Sequence, residues 1–181
     1  MDRQPVLEGE RLLLRPLRED DWEALFAVAS DPQIWAVHPA HDRWQEPVFR
    51  AFFADAMAHG GALAVIEKAT GQIVGSSRFQ GYEPADGGSV EIGWTFLARR
   101  LWGGGYNAEM KRLMLAHALQ SVRRADFRVG EHNVISRGAM ENIGGVLSDR
   151  EDITIMGGEP HRHVIYEITR ECFNSGPLAQ R

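Results

Sequence analysis

The sequence contains a single cysteine, Cys172, in 181 residues, and this scarcity limits the chemistry available to the chain. One thiol excludes an internal disulfide framework and a cysteine-based zinc site. Cys172 also lies outside every motif described below, which argues against an acyl-enzyme route. A reducing compartment suits such a chain, and we expect a cytoplasmic protein.

Long apolar runs and an excess of positive charge are also missing. No stretch approaches the roughly 20 apolar residues that span a bilayer, and the opening MDRQPVLEGE lacks the hydrophobic stretch of a signal peptide. The 20 Lys and Arg residues are scattered among 25 Asp and Glu residues, which gives a net charge of -5. This balance disfavours nucleic-acid binding through a basic face. We therefore expect neither a membrane nor a nucleic-acid partner.

The chain is long enough for one well-filled core, and we expect a single domain over residues 1–181. The hydrophobic pattern predicts a strand at 11–17, a helix at 18–30, an irregular segment at 31–44 and a helix at 46–61. The later predicted strands are 62–68, 72–83, 88–98, 125–131 and 162–169, with one more near 146–155, and a short helix covers 134–145.

The connections between these elements indicate the fold class. The three middle strands are joined by short turns and must be antiparallel, whereas the helix between 88–98 and 125–131 is long enough for a parallel crossover. The sequence therefore predicts an α+β protein with a mixed, mostly antiparallel sheet covered by helices.

The segment 99-RRLWGGGYNAEMKRLMLAHAL-119 places two arginines and three glycines before a predicted helix. Glycines allow the backbone to approach an anion, and the helix start adds partial positive charge. A tight loop with solvated arginines explains the same residues equally well. The helix itself turns an apolar face made by four residues toward the core, with Lys111 and Arg112 on other faces. The four apolar residues are Met110, Leu113, Met114 and Ala118.

A dinucleotide site is a third interpretation of this segment. Gly103, Gly105 and Ala108 fit G-x-G-x-x-A, and Asp126 follows at about the spacing of a ribose-binding acid. However, that fingerprint follows its strand at once in a parallel sheet, and here ARRLW intervenes after an antiparallel run. An NAD-dependent oxidoreductase is thus the weaker alternative.

Three separated motifs resemble a known family. Residues 100–105, RLWGGG, resemble the R-x-x-G-x-G acetyl-CoA signature of the GNAT N-acetyltransferases, and Trp102 with Tyr106 resembles the form found in the Rim-like ribosomal-protein acetyltransferase branch. VEIGWTFL resembles the fourth strand of that branch, and 133-NVISRGAMENIGG-145 resembles its second motif, although Asn142 replaces the usual lysine. LEGERLLLRPLREDDWEALF resembles its opening strand and helix. The resemblance spans roughly residues 7–170, and motifs in the right order are more specific than one alone.

The resemblance implies a GNAT fold, with six to seven strands, about four helices, and a sheet that splays between strands 88–98 and 125–131. Acetyl-CoA would lie in this opening. Its pyrophosphate would bind to backbone N–H groups at the helix start, and its pantetheine arm would pair with the strand 88–98. No metal is implied. The implied acetyl-CoA-binding residues are Thr95, Phe96, Leu97, Arg99, Arg100, Trp102, Gly103, Gly104, Gly105, Tyr106, Asn107, Asn133 and Ser136.

Acetyl transfer to an amine sets further requirements. A lysine-type amine is more than about 99.9% protonated at pH 7, so a base is needed. Glu91 is the leading candidate, because it lies on the strand that lines the acyl site, and its alternative role is a salt-bridged strand carboxylate. An N–H near Phe96 or Leu97 would bind the oxyanion. The tyrosine that often serves the departing thiolate is missing, which leaves Ser136 as its nearest replacement or as a local helix cap.

The acceptor is expected to be a small-molecule or peptide amine, and the chain a monomer or homodimer. Trp35 and Trp44, in the irregular 31–44 segment, are the candidate acceptor-pocket residues. His161 and His163 lack a nearby third ligand and are expected to form a surface or strand-edge pair. A non-catalytic acyl-CoA sensor of the same fold is the second alternative.

Overall fold

The computed structural model describes residues 1–156 and 158–179. Within them eight strands form one sheet, in the spatial order β1-β2-β3-β4-β5-β6-β8-β7. The strands are β1 (Leu7–Glu8), β2 (Leu12–Pro16), β3 (Ala62–Glu67), β4 (Gln72–Glu83), β5 (Ser89–Leu97), β6 (Arg124–Gly130), β7 (Val146–Met156) and β8 (Glu159–Thr169). The α-helices are α1 (Trp22–Ala29), α2 (Pro32–Trp35), α3 (Glu46–His59), α4 (Tyr106–Ala118), α5 (Val134–Asn142) and α6 (Arg170–Ser175).

The sheet is antiparallel except where β5 meets β6. These two strands pair over only three positions, from Ser89 opposite Arg124 to Glu91 opposite Asp126. Beyond Glu91 the edge of β5 that faces β6 has no partner strand in the described part of the chain. The two strands therefore diverge and open a gap in the middle of the sheet.

Helices cover both faces of the sheet and bury two apolar clusters. On one face α4 packs its buried residues, including Met110 and Met114, against strand residues such as Leu14 and Ile92. On the other face α1 and α3 enclose an aromatic cluster that includes Phe49. Burial of this kind gives about 25 cal/mol per Å² of apolar surface and fixes the strands that flank the gap.

The predicted α+β class with a mixed, mostly antiparallel sheet is confirmed. The structure has eight strands where six to seven were expected, because the two-residue β1 adds an edge strand and the extra strand near 146–155 forms as β7. Two short helices raise the expected four helices to six among the described residues. One of them, α2, lies in the segment predicted to be irregular, where Asp31 accepts a hydrogen bond from the Gln33 N–H and Pro32 occupies the first turn.

None of the helices within residues 1–156 and 158–179 is long and apolar enough to cross a bilayer.

Candidate active site between the splayed strands

A cavity of about 350 Å³ fills the gap between β5 and β6. Its walls are the β5 segment 92–97 and the β6 segment 127–130. The glycine loop (residues 99–105) and α4 contribute one part of the remaining lining, together with Asn133 and α5, and residues 34–39 with His163 of β8 contribute the other. We call these two parts the donor end and the acceptor end. The aromatic and aliphatic lining with few polar groups is typical of a small-molecule site.

A β-bulge in β5 shapes the wall of the cavity. Gly93 lies opposite Arg78 and Phe96 opposite Ser76, so β5 carries one residue more than β4 in this interval. Trp94 takes up the extra length with a φ of 51°, which is rare for a residue other than glycine. Thr95 follows the bulge and lines the cavity. The bulge thus turns the backbone of the segment predicted to pair with the pantetheine arm, in the part of β5 that has no β6 partner.

The donor end contains an uncapped helix start. Gly103 and Gly105 have φ values of 75° and 80°, in the left-handed region that glycine adopts without strain. Gly105 is the N-cap residue of α4 and supplies no side-chain cap. The N–H groups of Tyr106, Asn107 and Ala108 have no hydrogen-bond partner in the described residues. Free N–H groups together with the helix dipole form an anion-binding site.

The arginines of the glycine loop are held by carboxylates. Arg100 donates two hydrogen bonds to Glu67 on β3, at 2.9 and 2.6 Å, and Arg99 lies 3.0 Å from Asp31. The hydrogen bonds from Arg100 lower the pKa of Glu67 to about 2. Arg11 on the neighbouring strand reaches the loop as well, with a hydrogen bond to the Gly104 carbonyl at 2.8 Å. The arginine side chains therefore brace the loop, which leaves the backbone N–H groups for an anion.

The other predicted donor-site residues have defined partners. The Trp102 indole N–H donates to the Leu97 carbonyl at 3.0 Å, and Tyr106 lies under the Arg11 guanidinium. Asn133 is buried, and its side-chain oxygen accepts the Ser136 N–H at the start of α5. Eight of the thirteen predicted donor-site residues line the cavity. They are Thr95, Phe96, Leu97, Trp102, Gly103, Asn107, Asn133 and Ser136.

Glu91, the predicted base, is engaged elsewhere. Arg128 Nε and Nη2 donate to its two carboxylate oxygens at 3.1 and 2.8 Å, and Arg128 Nη1 reaches Asp152 at 2.6 Å. Glu91 is absent from the cavity lining, whereas Arg128 belongs to it. Both carboxylate oxygens are occupied by the guanidinium, so Glu91 is not presented to the cavity. Glu91 is thus a salt-bridged strand carboxylate, which is the alternative role predicted from the sequence.

Two histidines line the acceptor end instead. Burial, with smaller contributions from Arg43 and His163, lowers the pKa of His38 to about 3. Its Nδ1 accepts the Ala40 N–H at 2.9 Å, so the neutral ring carries its hydrogen on Nε2. Burial also lowers the pKa of His163, and the adjacent Arg128 acts in the same direction. Both rings are therefore neutral near pH 7.

The hydrogen bonds of His163 determine which nitrogen is basic. Its Nδ1 lies 3.2 Å from the His161 carbonyl and 3.3 Å from the Thr154 hydroxyl. A carbonyl only accepts and a hydroxyl can accept as well, so a hydrogen on Nδ1 satisfies both contacts. Nε2 then has a free lone pair. The sequence placed His161 and His163 in a surface or strand-edge pair, but β8 is an interior strand, opposite Gly130 of β6 at His163. Only the pairing of β8 with β6 brings this imidazole to the cavity, and no local sequence pattern indicates it.

The two tryptophans of the predicted acceptor pocket separate in the structure. Trp35 lines the cavity with its ring packed on Phe96 at 5.1 Å between ring centroids, and its N–H donates to the Ala29 carbonyl. Trp44 is 39% exposed and lies outside the lining. The segment between α2 and α3 instead places Pro39 against Gly130, where a Cβ would come within 2.7 Å of the proline Cγ. This close approach fixes the acceptor end on β6.

Lys111 is a further cavity residue, and its predicted position away from the core was wrong. The side chain is buried, with 6% exposure, and Nζ donates to Thr95 Oγ1 at 2.8 Å. Burial lowers its pKa to about 7. Asn107 lies one helical turn earlier and also lines the cavity, and this i, i+4 relation is the sequence signal that indicates where Lys111 points.

The residues proposed for other cofactors do not assemble into sites. In the described ranges, no group of three or more His, Cys, Asp or Glu side chains is placed to hold a metal ion. Asp126, the candidate ribose ligand, is bound by Arg124 and Arg150 at 2.8 and 2.7 Å. The glycine loop also follows a strand whose other neighbour is antiparallel, unlike a dinucleotide fold.

Comparison with known proteins identifies relatives of this arrangement. A family model described as an acetyltransferase (GNAT) domain matches residues 11–146. A GCN5-related N-acetyltransferase from Brucella melitensis shares 21% identity and a TM-score of 0.81 over 98% of this chain and 83% of that chain. A GNAT-family acetyltransferase from Bacillus anthracis shares 24% identity and a TM-score of 0.74 over 92% and 99% of the two chains. RimJ from Mycobacterium smegmatis, in complex with CoA-disulfide, shares 18% identity and a TM-score of 0.73 over 97% of this chain and 92% of that chain. At these identities the likeness shows a common fold.

Proposed function

The chain belongs to the GNAT acetyltransferase family, whose acetyl donor is acetyl-CoA, and we propose that it acetylates a primary amine by direct attack of that amine on the thioester. The observation that carries this proposal is the cavity between β5 and β6, which joins an anion-binding helix start to a pair of neutral histidines. An amine acetylation needs both functions in one cavity.

The donor end suits a nucleotide pyrophosphate. The three free N–H groups at the start of α4 and the left-handed Gly103 and Gly105 form a concave anion site that requires no side-chain charge. We propose that the pyrophosphate of acetyl-CoA binds there and that the arm runs along the unpaired edge of β5 into the cavity. Its carbonyl would meet N–H groups near the Trp94 bulge, which would stabilise the oxyanion of the tetrahedral intermediate.

We propose His163 as the proton acceptor, in place of Glu91. The imidazole lines the cavity, is neutral near pH 7 and has its Nε2 lone pair free, whereas Glu91 is held by Arg128. The amine proton would pass to Nε2 during attack, either directly or through a water molecule. Arg128 pairs with Glu91 and adds to the effect of burial in lowering the pKa of His163, so Glu91 and Arg128 would tune the base.

The acceptor end favours no single amine. Its lining combines Trp35 and Pro39 with the two histidines, which accommodates a small amine or the start of a peptide. The Rim-like form of the glycine loop, RRLWGGGY, and the fold shared with RimJ make an N-terminal peptide the first acceptor to test.

The proposal is tested by measuring CoA release with acetyl-CoA or succinyl-CoA and a panel of N-terminal peptides, amino acids, polyamines and aminoglycosides. Turnover with one acceptor class supports a transferase. Acetyl-CoA binding without turnover on the whole panel would instead favour the acyl-CoA sensor of the same fold. A thermal-shift measurement with NAD tests the oxidoreductase, for which stabilisation by NAD and not by CoA is expected.

A further inference from the structure

Lys111 is a buried amine with no buried acid to pair with it. Its Nζ reaches the cavity wall from α4, and its single hydrogen-bond partner among the described residues is the Thr95 hydroxyl. The ring of Phe127 on β6 lies 5.2 Å from Nζ on another side. Burying an ammonium without a paired acid is costly, and ionisable groups kept in such surroundings are concentrated at functional sites.

The nearby acids and bases have other partners. On the same helix, Glu109 binds the Arg11 guanidinium and accepts the backbone N–H groups of Arg11 and Leu12. On β5, Glu91 binds Arg128. The remaining titratable or charged side chains in the cavity lining are His38 and His163 at the acceptor end and Arg128 on the β6 wall. Lys111 is therefore the one ionisable side chain that the described cavity presents at the donor end.

The position of Lys111 fits the sulfur end of the acetyl donor. It lies five residues beyond Tyr106, so it is about 7.5 Å further along the helix axis than the proposed pyrophosphate site. Thr95, its partner, directly follows the bulge residue Trp94 and lies four residues beyond Glu91, the last β5 residue paired with β6. The reacting thioester would thus lie between Lys111 on the donor side and His163 on the acceptor side.

We propose that Lys111 is the catalytic acid of the reaction, whose ammonium gives its proton to the departing sulfur of CoA. This assignment rests on the proposed acetyl transfer. The amine nitrogen forms its bond to the acetyl carbon and gives a proton to His163. When the carbon–sulfur bond breaks, the electron pair stays on sulfur, and sulfur takes a proton from Lys111 Nζ. Lys111 is then neutral and His163 charged, and exchange with solvent restores both.

The acidity of Lys111 suits this role. Burial lowers its pKa to about 7, so near neutral pH a large fraction remains protonated and gives up its proton far more readily than an exposed lysine. Ser136, the residue predicted for the thiolate, also lines the cavity, but a hydroxyl is a much weaker acid than this ammonium.

The test compares Lys111→Met with Lys111→Gln, and uses Arg112→Met as a matched control on the next, partly exposed residue. We expect kcat to fall about 100-fold in both Lys111 variants, with the Kd for CoA within about threefold of the wild-type value. Gln keeps a hydrogen-bond donor for Thr95 but has no acidic proton. If kcat recovers in Lys111→Gln, Lys111 serves only as a structural hydrogen-bond donor and the proposal is wrong.

A second readout does not depend on turnover. The thiol of CoA bound to the protein is titrated by the ultraviolet absorbance of its thiolate. A nearby ammonium should lower the pKa of this thiol by about one pH unit or more relative to the Lys111→Met complex. Equal thiol pKa values in the two complexes would overturn the proposal. If no amine is acetylated by the wild-type protein, the proposed function fails while this thiol titration still reports on Lys111.

Discussion

The two ends of the cavity are built in different ways. The donor end is built mainly from residues 99–111, whose unpaired backbone N–H groups at the start of α4 are the proposed anion-binding elements, and Asn133 and Ser136 add to it. The acceptor end is assembled from residues 34–39 and the middle of β8, far apart in sequence, and its candidate catalytic groups are imidazole rings. Backbone N–H groups keep their positions when most side chains are replaced. A site made of side chains from separate elements loses its function when one of those side chains is replaced.

The largest effect is expected at the acceptor end, from His163→Gln. Loss of the proton acceptor should lower kcat about 100-fold with little change in acetyl-CoA affinity. In the wild-type protein kcat should fall as pH falls through the pKa of His163, because a protonated ring accepts no proton. Burial holds that pKa below its ordinary value of 6.5, so this loss should begin below pH 6.5.

Two further variants sharpen that measurement. His161→Gln changes the neighbouring histidine, which is absent from the cavity lining, and should leave kcat near the wild-type value. Glu91→Gln should lower kcat less than about tenfold, because it changes only the Arg128 pair. A greater loss in Glu91→Gln than in His163→Gln would return the role of base to the carboxylate.

At the donor end, Gly105→Ala should weaken acetyl-CoA binding about tenfold. Its φ of 80° costs an alanine about 1–2 kcal/mol, and the strain would displace the N–H groups of the first helical turn. Gly71→Ala is the matched control, with a φ of 69° and open space for a Cβ in the turn between β3 and β4. It should lose similar stability in a thermal melt and keep its Kd, measured by calorimetry. Equal Kd values in the two variants would contradict the backbone site.

A smaller effect, about threefold in Kd, is expected from Arg100→Ala. The guanidinium braces the loop through Glu67, so Glu67→Gln should weaken acetyl-CoA binding by a similar factor and the double variant by no more than either one. A large loss in Arg100→Ala alone would show that this side chain contacts the donor directly, as the motif implies.

The smallest effect is expected from Trp44→Ala. Because this side chain is 39% exposed and outside the cavity lining, KM for the acceptor should stay within about twofold. Trp35→Phe should instead lower stability by about 1 kcal/mol, since the hydrogen bond to the Ala29 carbonyl is lost. A large rise in KM with Trp44→Ala would place the acceptor over the segment between α2 and α3.

Whether a part of the site could be predicted depends on how far apart in the sequence its interacting residues lie. The glycine loop and the helix start are local features, so RLWGGG indicated the left-handed glycines and the start of α4. NVISRGAMENIGG indicated α5, but the residue that caps this helix is Asn133 and not Ser136. The partner of Arg100 was not predictable, because Glu67 is 33 residues away and meets the loop only across the sheet. For the same reason the bidentate pair of Glu91 with Arg128 could only be offered as an alternative.

The sequence by itself determined the mixed sheet, the order of its elements and the uncapped glycine start of α4, because hydrophobic period and turn residues act over a few positions. Tertiary structure decided which titratable groups meet in the cavity. Pairing of β8 between β6 and β7 brings in His163, and packing of α4 beneath the splayed strands buries Lys111 against Thr95. Both depend on contacts between distant segments, and the environment created there sets the acidity of each group.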